Sequence, residues 1–315
     1  MSNSLIYSYK KLNESFKKKL SYRIGDDGFF SNYNCMIYAM LYCLNNKIQF
    51  NLCNSGNYFG KQDNDPNIFF EPFTNQVIDN GKHFRTTNYK YALKKLLKGN
   101  LNTIKSLYPY INFWKKQLYT QDVWGKSTDL SAQKKRYVIP ELQIDSDMRT
   151  ACSRLVELTW RYTEHTKAEV ENCMNTVNLP SNYIGFHIRR GDKDTEVSLE
   201  NINEYIEKAE TLSSVRNAYI LTDDYTVIEE IKQKYPQWHV YALCKPGERG
   251  YTHSIFMQTD PVKKRNSVIT LFANIEILAK SDYFIGNFYS NVGSYLGMRM
   301  DKSKVYSIDN FRWGF

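Results

Sequence analysis

The sequence reads YIGFHIRRGD from Tyr183 to Asp192, and this stretch decides how the C-terminal half of the chain folds. Apolar residues run up to a glycine turn, which is typical of a buried β-strand that ends in His187, Arg189 and Arg190. In open α/β sheets, ligands bind at the carboxyl edge of the strands. Because the guanidinium fork fits two phosphate oxygens at once, the arginine pair indicates a phosphorylated ligand, with surface ion pairs as the alternative.

Two later segments have the same design of an apolar strand with a polar end. Residues 218–224 (AYILTDD) predict a strand that ends in Thr-Asp-Asp, and residues 225–235 have helical spacing. Residues 271–280 (LFANIEILAK) predict a helix, and residues 281–290 (SDYFIGNFYS) predict a strand followed by a polar turn. Alternating strands and helices are typical of a doubly wound parallel α/β sheet, so three polar strand ends are expected to meet at one edge.

In this order and spacing, the three motifs resemble those of the GDP-fucose-dependent fucosyltransferases of the α1,6 type. That family carries an HxRRxD motif, a TDD strand end, and a helix followed by a Ser-Asp strand and a Ser-rich turn. The matching residues are His187, Arg189, Arg190, Asp192, Thr222, Asp223, Asp224, Ser281, Asp282 and Ser290. The resemblance extends over about residues 181–298 and, more weakly, to an N-terminal turn.

The resemblance implies an α/β, GT-B-like fold, in which two Rossmann-like domains with parallel sheets face a cleft. It also implies an inverting, metal-independent transferase that moves L-fucose from GDP-fucose to a glycan hydroxyl. The first arginine of the family motif holds the donor diphosphate, and this role falls on Arg189. The acidic residue proposed as the base in the family corresponds to Glu196, although the gap differs by one residue.

The residue types themselves agree with this chemistry. A sugar leaves a nucleoside diphosphate with negative charge growing on the phosphate, so fixed cations such as Arg189 and Arg190 lower the barrier. A carboxylate must also accept the proton of the attacking hydroxyl. Glu196, Asp194 and Asp192 are the candidates, in that order, and a solvated acidic loop is the alternative.

A DxD pattern, which holds a divalent metal in another class of glycosyltransferase, occurs at residues 192–194, 63–65 and 145–147. A pattern that occurs three times in one chain has little specificity. Because Lys193 and two arginines already supply positive charge near the first copy, the sequence predicts no metal requirement and no cofactor other than the nucleotide-sugar substrate.

Asn274 occupies the position where relatives have an aspartate that accepts hydrogen bonds from guanine. Guanine presents two adjacent donors, which suit a carboxylate, whereas an amide has one acceptor and one donor group and fits uracil at least as well. Either the guanine contact comes from elsewhere, with Glu276 as a candidate, or the donor is a UDP-pentose such as UDP-xylose. An ordinary polar helix residue is the third interpretation.

The N-terminal half has a weaker signal of the same kind. Residues 25–32 (GDDGFFSN) form a turn-rich stretch before an apolar helix at residues 33–44, and the next strand is predicted at residues 48–52. Free backbone N–H groups at such a helix start bind anions. Gly28, Phe30 and Ser31 are therefore predicted donor contacts, and a simple turn is the alternative.

A long helical run at residues 149–178, stopped by Pro180, places the domain boundary near residue 150. Residues 1–150 are predicted to form an N-terminal Rossmann-like domain on the acceptor side. Residues 151–315 are predicted to form the nucleotide-sugar-binding Rossmann-like domain. The loop at residues 245–264 is expected to cover the donor.

Composition limits the other function classes. A formal charge of +9 with 25 tyrosines invites a nucleic-acid-binding interpretation, but the basic clusters are short and scattered, so an anionic sugar nucleotide is the favoured partner. A non-catalytic glycan-binding module on the same fold is the other alternative. The sequence has no apolar run long enough for a transmembrane segment, no signal-peptide core, and six cysteines without metal spacing, which together predict a soluble, cytoplasmic protein with reduced thiols.

Overall fold

The computed structural model describes residues 2–25, 27–60, 65–80, 89–101, 104, 116–129, 135–190, 201–252, 256 and 258–309. The chain divides into two units. The first comprises Met1–Gln62 and Phe70–Arg161, and the second comprises Asp63–Phe69 and Tyr162–Phe315. A short segment from the N-terminal half therefore belongs to the second unit.

The first unit contains a four-stranded sheet in the order β3-β2-β1-β4, in which all paired strands are parallel. Its elements are α1 (Ser2–Glu14), β1 (Lys18–Tyr22), α2 (Phe29–Asn45), β2 (Ile48–Cys53), β3 (Gln76–Val77), α3 (Tyr89–Leu97), β4 (Gln117–Tyr119), α4 (Thr120–Ser127), β5 (Tyr137–Ile139), β6 (Ile144–Ser146) and α5 (Met148–Thr159). Strands β5 and β6 form a separate antiparallel pair.

The core of this unit lies around β2 and α2. All six residues of β2 are buried, as expected of a parallel strand with both faces covered. Aromatic rings fill the space at the start of α2, where Phe29 and Phe30 pack with Trp160, and the Trp160 ring lies 4.8 Å from that of Phe70. The predicted strand at residues 48–52 is confirmed, and the predicted helix begins four residues earlier, at Phe29.

The second unit contains a five-stranded sheet in the order β11-β10-β7-β8-β9, again with parallel pairs only. Its elements are α6 (Glu164–Met174), β7 (Ile184–His187), α7 (Ile202–Leu212), β8 (Asn217–Leu221), α8 (Thr226–Lys234), β9 (His239–Tyr241), α9 (Pro261–Ala279), β10 (Tyr283–Gly286), α10 (Asn291–Arg299) and β11 (Val305–Ser307). The predicted α/β class with parallel sheets is confirmed in both units.

Strand β7 is the central strand of this sheet. From β7 the chain continues to β8 and β9 on one side, whereas β10 and β11 lie on the other side. This reversal creates a topological switch point between the carboxyl ends of β7 and β10, which is where ligands bind in open α/β sheets. Beneath it, Phe186 packs against Tyr205 and Trp238 in the unit's apolar core.

The predicted helical run at residues 149–178 is two helices, and the predicted boundary near residue 150 differs from the observed division after Arg161. Helix α5 belongs to the first unit, where the hydroxyl of Thr159 forms a 2.6 Å hydrogen bond with that of Tyr33 on α2. A new helix starts at Glu164 because the Thr163 side chain accepts the N–H of Thr166 as an N-cap.

Arg265 on α9 explains why residues 65–69 belong to the second unit. Its guanidinium donates to the backbone carbonyls of Pro66 and Ile68, both at 3.2 Å, and its Nη2 lies 2.6 Å from the carboxylate of Glu169 on α6. The same guanidinium lies over the Phe69 ring, 5.0 Å from the ring centre. One arginine whose side chain is only 12% exposed thus joins the segment to two helices.

Candidate functional site

The three predicted polar strand ends meet at the carboxyl edge of the second unit's sheet. Beyond β7, the Ile188 N–H still donates to the Leu221 carbonyl of β8 at 2.9 Å, so the chain leaves the sheet at Arg189. The side chains of Arg189 and Arg190 are 28% and 20% exposed. Both arginines therefore stand at the rim of the sheet, as predicted.

The two arginines have different surroundings. Arg189 Nε lies 3.8 Å from Asp223 Oδ2, and Arg189 Cζ lies 5.7 Å from the centre of the Tyr251 ring. Arg190 Nη2 instead lies 4.0 Å from the carboxylate of Glu230 on α8. Arg189 is consequently the arginine that shares its surroundings with the TDD strand end.

Asp223 connects the strand ends. Its Oδ1 accepts the Arg190 N–H at 2.9 Å, its Oδ2 accepts the Tyr251 N–H at 3.1 Å, and its backbone carbonyl accepts the Gly250 N–H at 2.8 Å. A carboxylate with two backbone donors and a nearby guanidinium is a well-fixed anion. The predicted donor-binding role of Asp223 stays a prediction, and its observed contacts hold other parts of the site.

The rest of the TDD end builds the start of α8. Asp224 Oδ1 accepts the N–H of Thr226 at 2.9 Å and its hydroxyl at 2.7 Å, and the Thr222 hydroxyl oxygen accepts the Asp224 N–H at 3.2 Å. Such side-chain bonds favour turns and helix starts. Thr222 and Asp224 therefore shape the edge, and their predicted contact with the donor stays a prediction.

His187 is the last residue of β7 and is 5% exposed. Its Nδ1 has no hydrogen-bond partner among the described residues, whereas its backbone carbonyl accepts the Tyr205 hydroxyl at 3.1 Å. Burial, helped by the positive charge of Arg189, lowers the pKa of His187 to about 4, and Asp223 opposes this shift only in part. The imidazole is therefore neutral at neutral pH.

This lowered pKa predicts a stability change in mild acid. Between pH 6.5 and 4, an unfolded histidine takes up a proton that the buried one does not, so stability is fully present above pH 6.5 and falls as the pH is lowered. We expect His187 to reduce the free energy of unfolding by as much as about 3 kcal/mol across that range. Urea unfolding from pH 4 to 7.5 measures the loss, and His187→Gln should show a smaller one. Equal losses in both proteins would contradict the assignment.

The carboxyl end of β10 leads into the start of helix α10. Ser290 is the N-cap of this helix and its hydroxyl accepts the Val292 N–H at 3.3 Å, while the Asn287 side chain accepts the Ser290 N–H at 3.2 Å. The start of a helix has unpaired N–H groups and a partial positive charge. Ser290 thus follows β10 on the carboxyl side of the sheet, and its predicted donor contact stays a prediction.

Gly293 permits this tight connection. A Cβ at this position would overlap the carbonyl oxygen of Asn287, which is backbone and cannot rotate away. We expect Gly293→Ala to cost about 1–3 kcal/mol of unfolding free energy and to weaken binding of any anion at the start of α10. Gly125→Ala is the matched control, because a Cβ on that helical glycine meets nothing within 4 Å. Thermal melts of both variants test this, and equal melting temperatures would contradict it.

Asn274 lies inside the second unit and is 5% exposed. Its Oδ1 accepts the hydroxyl of Tyr219 at 2.8 Å, and its Nδ2 donates to the carbonyl of Thr270 at 2.8 Å. Both polar atoms of the amide are thus used within the fold, which favours the interpretation of Asn274 as a polar helix residue. Its role as a reader of the nucleotide base stays a prediction.

Glu276, the other candidate for a guanine contact, is also engaged. Arg299 donates to both of its oxygens, at 2.9 and 2.7 Å, and the Tyr162 hydroxyl donates to Oε1 at 2.9 Å. Burial and the neighbouring Glu276 carboxylate raise the pKa of Tyr162 well above its usual value, so the phenol remains a donor. This network joins α9 to α10.

The predicted N-terminal turn lies in the first unit and is organised by a residue that was not singled out, Asn32. Its Nδ2 donates to the carbonyls of Gly25 at 3.0 Å and Asp27 at 2.8 Å. Gly28 is the exposed N-cap of α2 and Ser31 is half-buried, but Phe30 is only 3% exposed. The Phe30 ring therefore packs in the core, and the predicted donor contact of Phe30 stays a prediction.

Comparison with known proteins places the C-terminal motifs in a family. Residues 150–302 match the family described as "Alpha-(1,6)-fucosyltransferase N- and catalytic domains". This part of the chain is similar to the alpha-(1,6)-fucosyltransferase family. The predicted resemblance is thereby confirmed for the part of the chain that carries the arginine pair and the TDD end. In a curated alpha-(1,6)-fucosyltransferase of Caenorhabditis elegans, 169 aligned residues are 27% identical, and they cover 48% of this chain but only 29% of that protein.

Solved structures are similar to most of this chain. NodZ alpha-1,6-fucosyltransferase co-crystallized with GDP has a TM-score of 0.52 at 13% identity, over 90% of this chain and 93% of NodZ. A mutant of Arabidopsis thaliana FUT1 in complex with GDP has a TM-score of 0.51 at 12% identity, over 97% of this chain and 75% of that chain. The predicted GT-B-like fold class is confirmed by these similarities.

Three residues that the sequence predicted as candidates for the catalytic base lie outside the residues that the structure describes. These are Asp192, Asp194 and Glu196. Of the DxD copies, residues 145–147 are described in full, and there Asp145 pairs with Arg136 at 2.6 Å and Asp147 caps α5. Among the described residues, no group of three or more His, Cys, Asp or Glu side chains could hold a metal ion.

A polar cluster at the carboxyl edge of the first unit's sheet was also missed. Arg23 follows β1 and its Nε lies 3.4 Å from Asp79 Oδ2, which accepts the hydroxyl of Ser55 at 2.7 Å. The backbone N–H of Arg23 donates to the hydroxyl of Thr120 at 2.8 Å, next to β4. The four strand ends meet here because all strands run in the same direction, but β1 and β4 are too short and polar to be predicted.

All six cysteines are free thiols. Burial raises the pKa of Cys53 to about 11 and that of Cys35 to about 12, so both remain protonated at neutral pH. Among the described helices, none combines the length and the apolar character that crossing a bilayer requires.

Proposed function

We propose that the chain is a glycosyltransferase that moves L-fucose from GDP-fucose to the hydroxyl of a glycan. The observation that carries this proposal is that Arg189 and Asp223 lie 3.8 Å apart at the carboxyl edge of the sheet, the same edge from which the chain leaves β10 toward α10. This edge falls within residues 150–302, the part that matches the fucosyltransferase family. A positive rim at a parallel sheet edge suits a nucleoside diphosphate.

The site must stabilise the nucleoside diphosphate, which is the leaving group of the transfer. As the sugar departs, negative charge grows on the diphosphate, and a preorganised cation stabilises it more in the transition state than in the ground state. Arg189 lies 3.8 Å from Asp223, and its side chain stays 28% exposed at the rim. The N–H groups at the start of α10, next to Ser290, supply further positive potential.

We further propose that transfer inverts the anomeric centre and needs no metal. The arginine pair provides the charge that a divalent ion supplies elsewhere. Glu196, Asp194 and Asp192 remain the proposed bases, in that order. The cytoplasmic location predicted above also stays a prediction.

We propose that the acceptor glycan binds to the N-terminal unit. Its sheet edge presents Arg23, Ser55 and Asp79, which combine donors and acceptors suited to the hydroxyls of a neutral sugar. NodZ and Arabidopsis FUT1 carry GDP in the structures named above, which supports GDP-fucose rather than UDP-xylose as the donor.

The first experiment is a thermal-shift titration of the purified chain with GDP, GDP-fucose, UDP and UDP-xylose, each with and without EDTA. A ligand that binds only the folded state raises the melting temperature, by more at higher concentration. We expect stabilisation by the GDP compounds alone, unchanged by EDTA, and slow release of GDP from GDP-fucose.

The other outcomes separate the alternatives. Stabilisation by the UDP compounds alone would show that the donor is a UDP-sugar. Loss of the increase in melting temperature when EDTA is added would overturn the proposal that no metal is needed. Stabilisation without turnover of GDP-fucose would favour a sugar-nucleotide-binding module. Salt-sensitive polynucleotide binding without any nucleotide shift would favour the nucleic-acid interpretation instead.

A further inference from the structure

Tyr251 lies beside the candidate diphosphate-binding arginine in the second unit. Its ring centre is 5.7 Å from Arg189 Cζ, which is within the range of a cation–π contact. Its backbone N–H donates to Asp223 Oδ2, the same oxygen that lies 3.8 Å from Arg189 Nε. Asp223 Oδ2 therefore lies close to both the backbone of Tyr251 and the side chain of Arg189.

We propose that Tyr251 is a positioning residue that orients the Arg189 guanidinium for the donor diphosphate. This inference rests on the proposed function and deepens it, because it names a residue in the loop after β9 that sets the affinity for the donor. An arginine side chain has many rotamers, and a fork that is already oriented binds phosphate oxygens at a lower entropic cost.

The surrounding loop fixes the ring through its backbone. The Gly250 N–H donates to the Asp223 carbonyl at 2.8 Å, and the Tyr225 N–H donates to the Glu248 carbonyl at 3.0 Å. Asp224 and Arg249 form an antiparallel bridge, and Gly250 has a φ of 83°, which L-residues rarely adopt. The position of Tyr251 thus depends on backbone bonds, so its side chain can be changed while the loop stays in place.

The chemistry of the ring suits this role. A second carboxylate against Arg189 would neutralise the charge that the diphosphate needs. An aromatic face attracts the guanidinium through its quadrupole and leaves the positive charge intact. Asp223 and the Tyr251 ring therefore both lie against the guanidinium, and the ring adds no counter-charge.

The test compares Tyr251→Leu with Tyr251→Phe by calorimetric titration of GDP. Leucine lacks the aromatic face, so we expect GDP to bind about fivefold more weakly, whereas phenylalanine keeps the face and should stay within about twofold of the parent. Melting temperatures are measured for each, and Tyr251→Met replaces the leucine variant if that protein does not fold.

A double-mutant cycle with Arg189→Met decides whether Tyr251 acts through the arginine. We expect Tyr251→Leu to weaken GDP binding no further once Arg189 is methionine, which a general loss of folding would not reproduce. Equal losses in the leucine and phenylalanine variants, or additive losses in the cycle, would overturn the positioning role alone. If the parent chain itself does not bind GDP, the proposed function fails and this inference fails with it.

Discussion

Arg189→Ala is expected to lower the rate of transfer from GDP-fucose by about 100-fold or more, with little change in the stability of the protein. The size of this effect follows from other enzymes, in which removing one preorganised donor that stabilises the developing negative charge lowers the rate by about 10²–10³-fold. Stability should change little because the side chain stands at the rim of the sheet, 28% exposed, and not in the core. Steady-state kinetics and a thermal melt of the same preparation measure the two effects.

Arg216→Ala is the matched control for this experiment. Arg216 directly precedes β8 and so lies at the amino edge of the same sheet, where its guanidinium packs over Trp238 and lies 3.5 Å from Glu210. The substitution removes the same charge from the opposite edge. We expect a small loss of stability and near-parental turnover. If both variants lost activity equally, net charge rather than the position of Arg189 would be responsible.

Arg265→Met is expected to be strongly destabilising, at about 2–3 kcal/mol. It leaves the partly buried Glu169 carboxylate without its guanidinium and removes the donors to the carbonyls of Pro66 and Ile68. Removing one partner of a fully buried ion pair costs about 3–5 kcal/mol, and we expect less here because the side chains of Arg265 and Glu169 are 12% and 28% exposed. Urea unfolding followed by circular dichroism measures the loss.

The control for Arg265 is an ion pair of similar geometry on the surface. Arg136 and Asp145 form a 2.6 Å pair, but their side chains are 72% and 55% exposed. Exposed pairs contribute about 0–1 kcal/mol, so Arg136→Met should hardly change the unfolding midpoint. A large loss in Arg136→Met, or a loss below about 1 kcal/mol in Arg265→Met, would contradict the argument from burial.

Much of the second unit's sheet could be predicted because its strands are encoded locally. β7, β8 and β10 are buried on both faces, so each is a nearly continuous apolar run with a polar end, and their order along the chain indicates parallel pairing. The same local signals located Arg189, Arg190, Asp223 and Ser290 at the carboxyl edge.

The sequence predictions were incomplete where the structure depends on more than the local apolar pattern. β1 and β4 have few apolar residues, and they are strands because distant segments pair, as Lys19 does with Gln117. The helical run at residues 149–178 is interrupted where Thr163 caps a second helix, a stop that the apolar pattern does not reveal. The sequence did not reveal that Phe30 packs in the aromatic core, and its predicted donor contact stays a prediction.

The sequence by itself determined the class of fold and the residues that reach the ligand edge, because apolar period and strand-end chemistry are properties of short segments. Only the tertiary structure decided which side chains support others: that Asp223 bonds Tyr251 28 residues away, that Asn274 is satisfied by Tyr219, and that Arg265 draws residues 65–69 into the second unit. These contacts join residues far apart in the chain, and their energies arise only after folding has removed both partners from water.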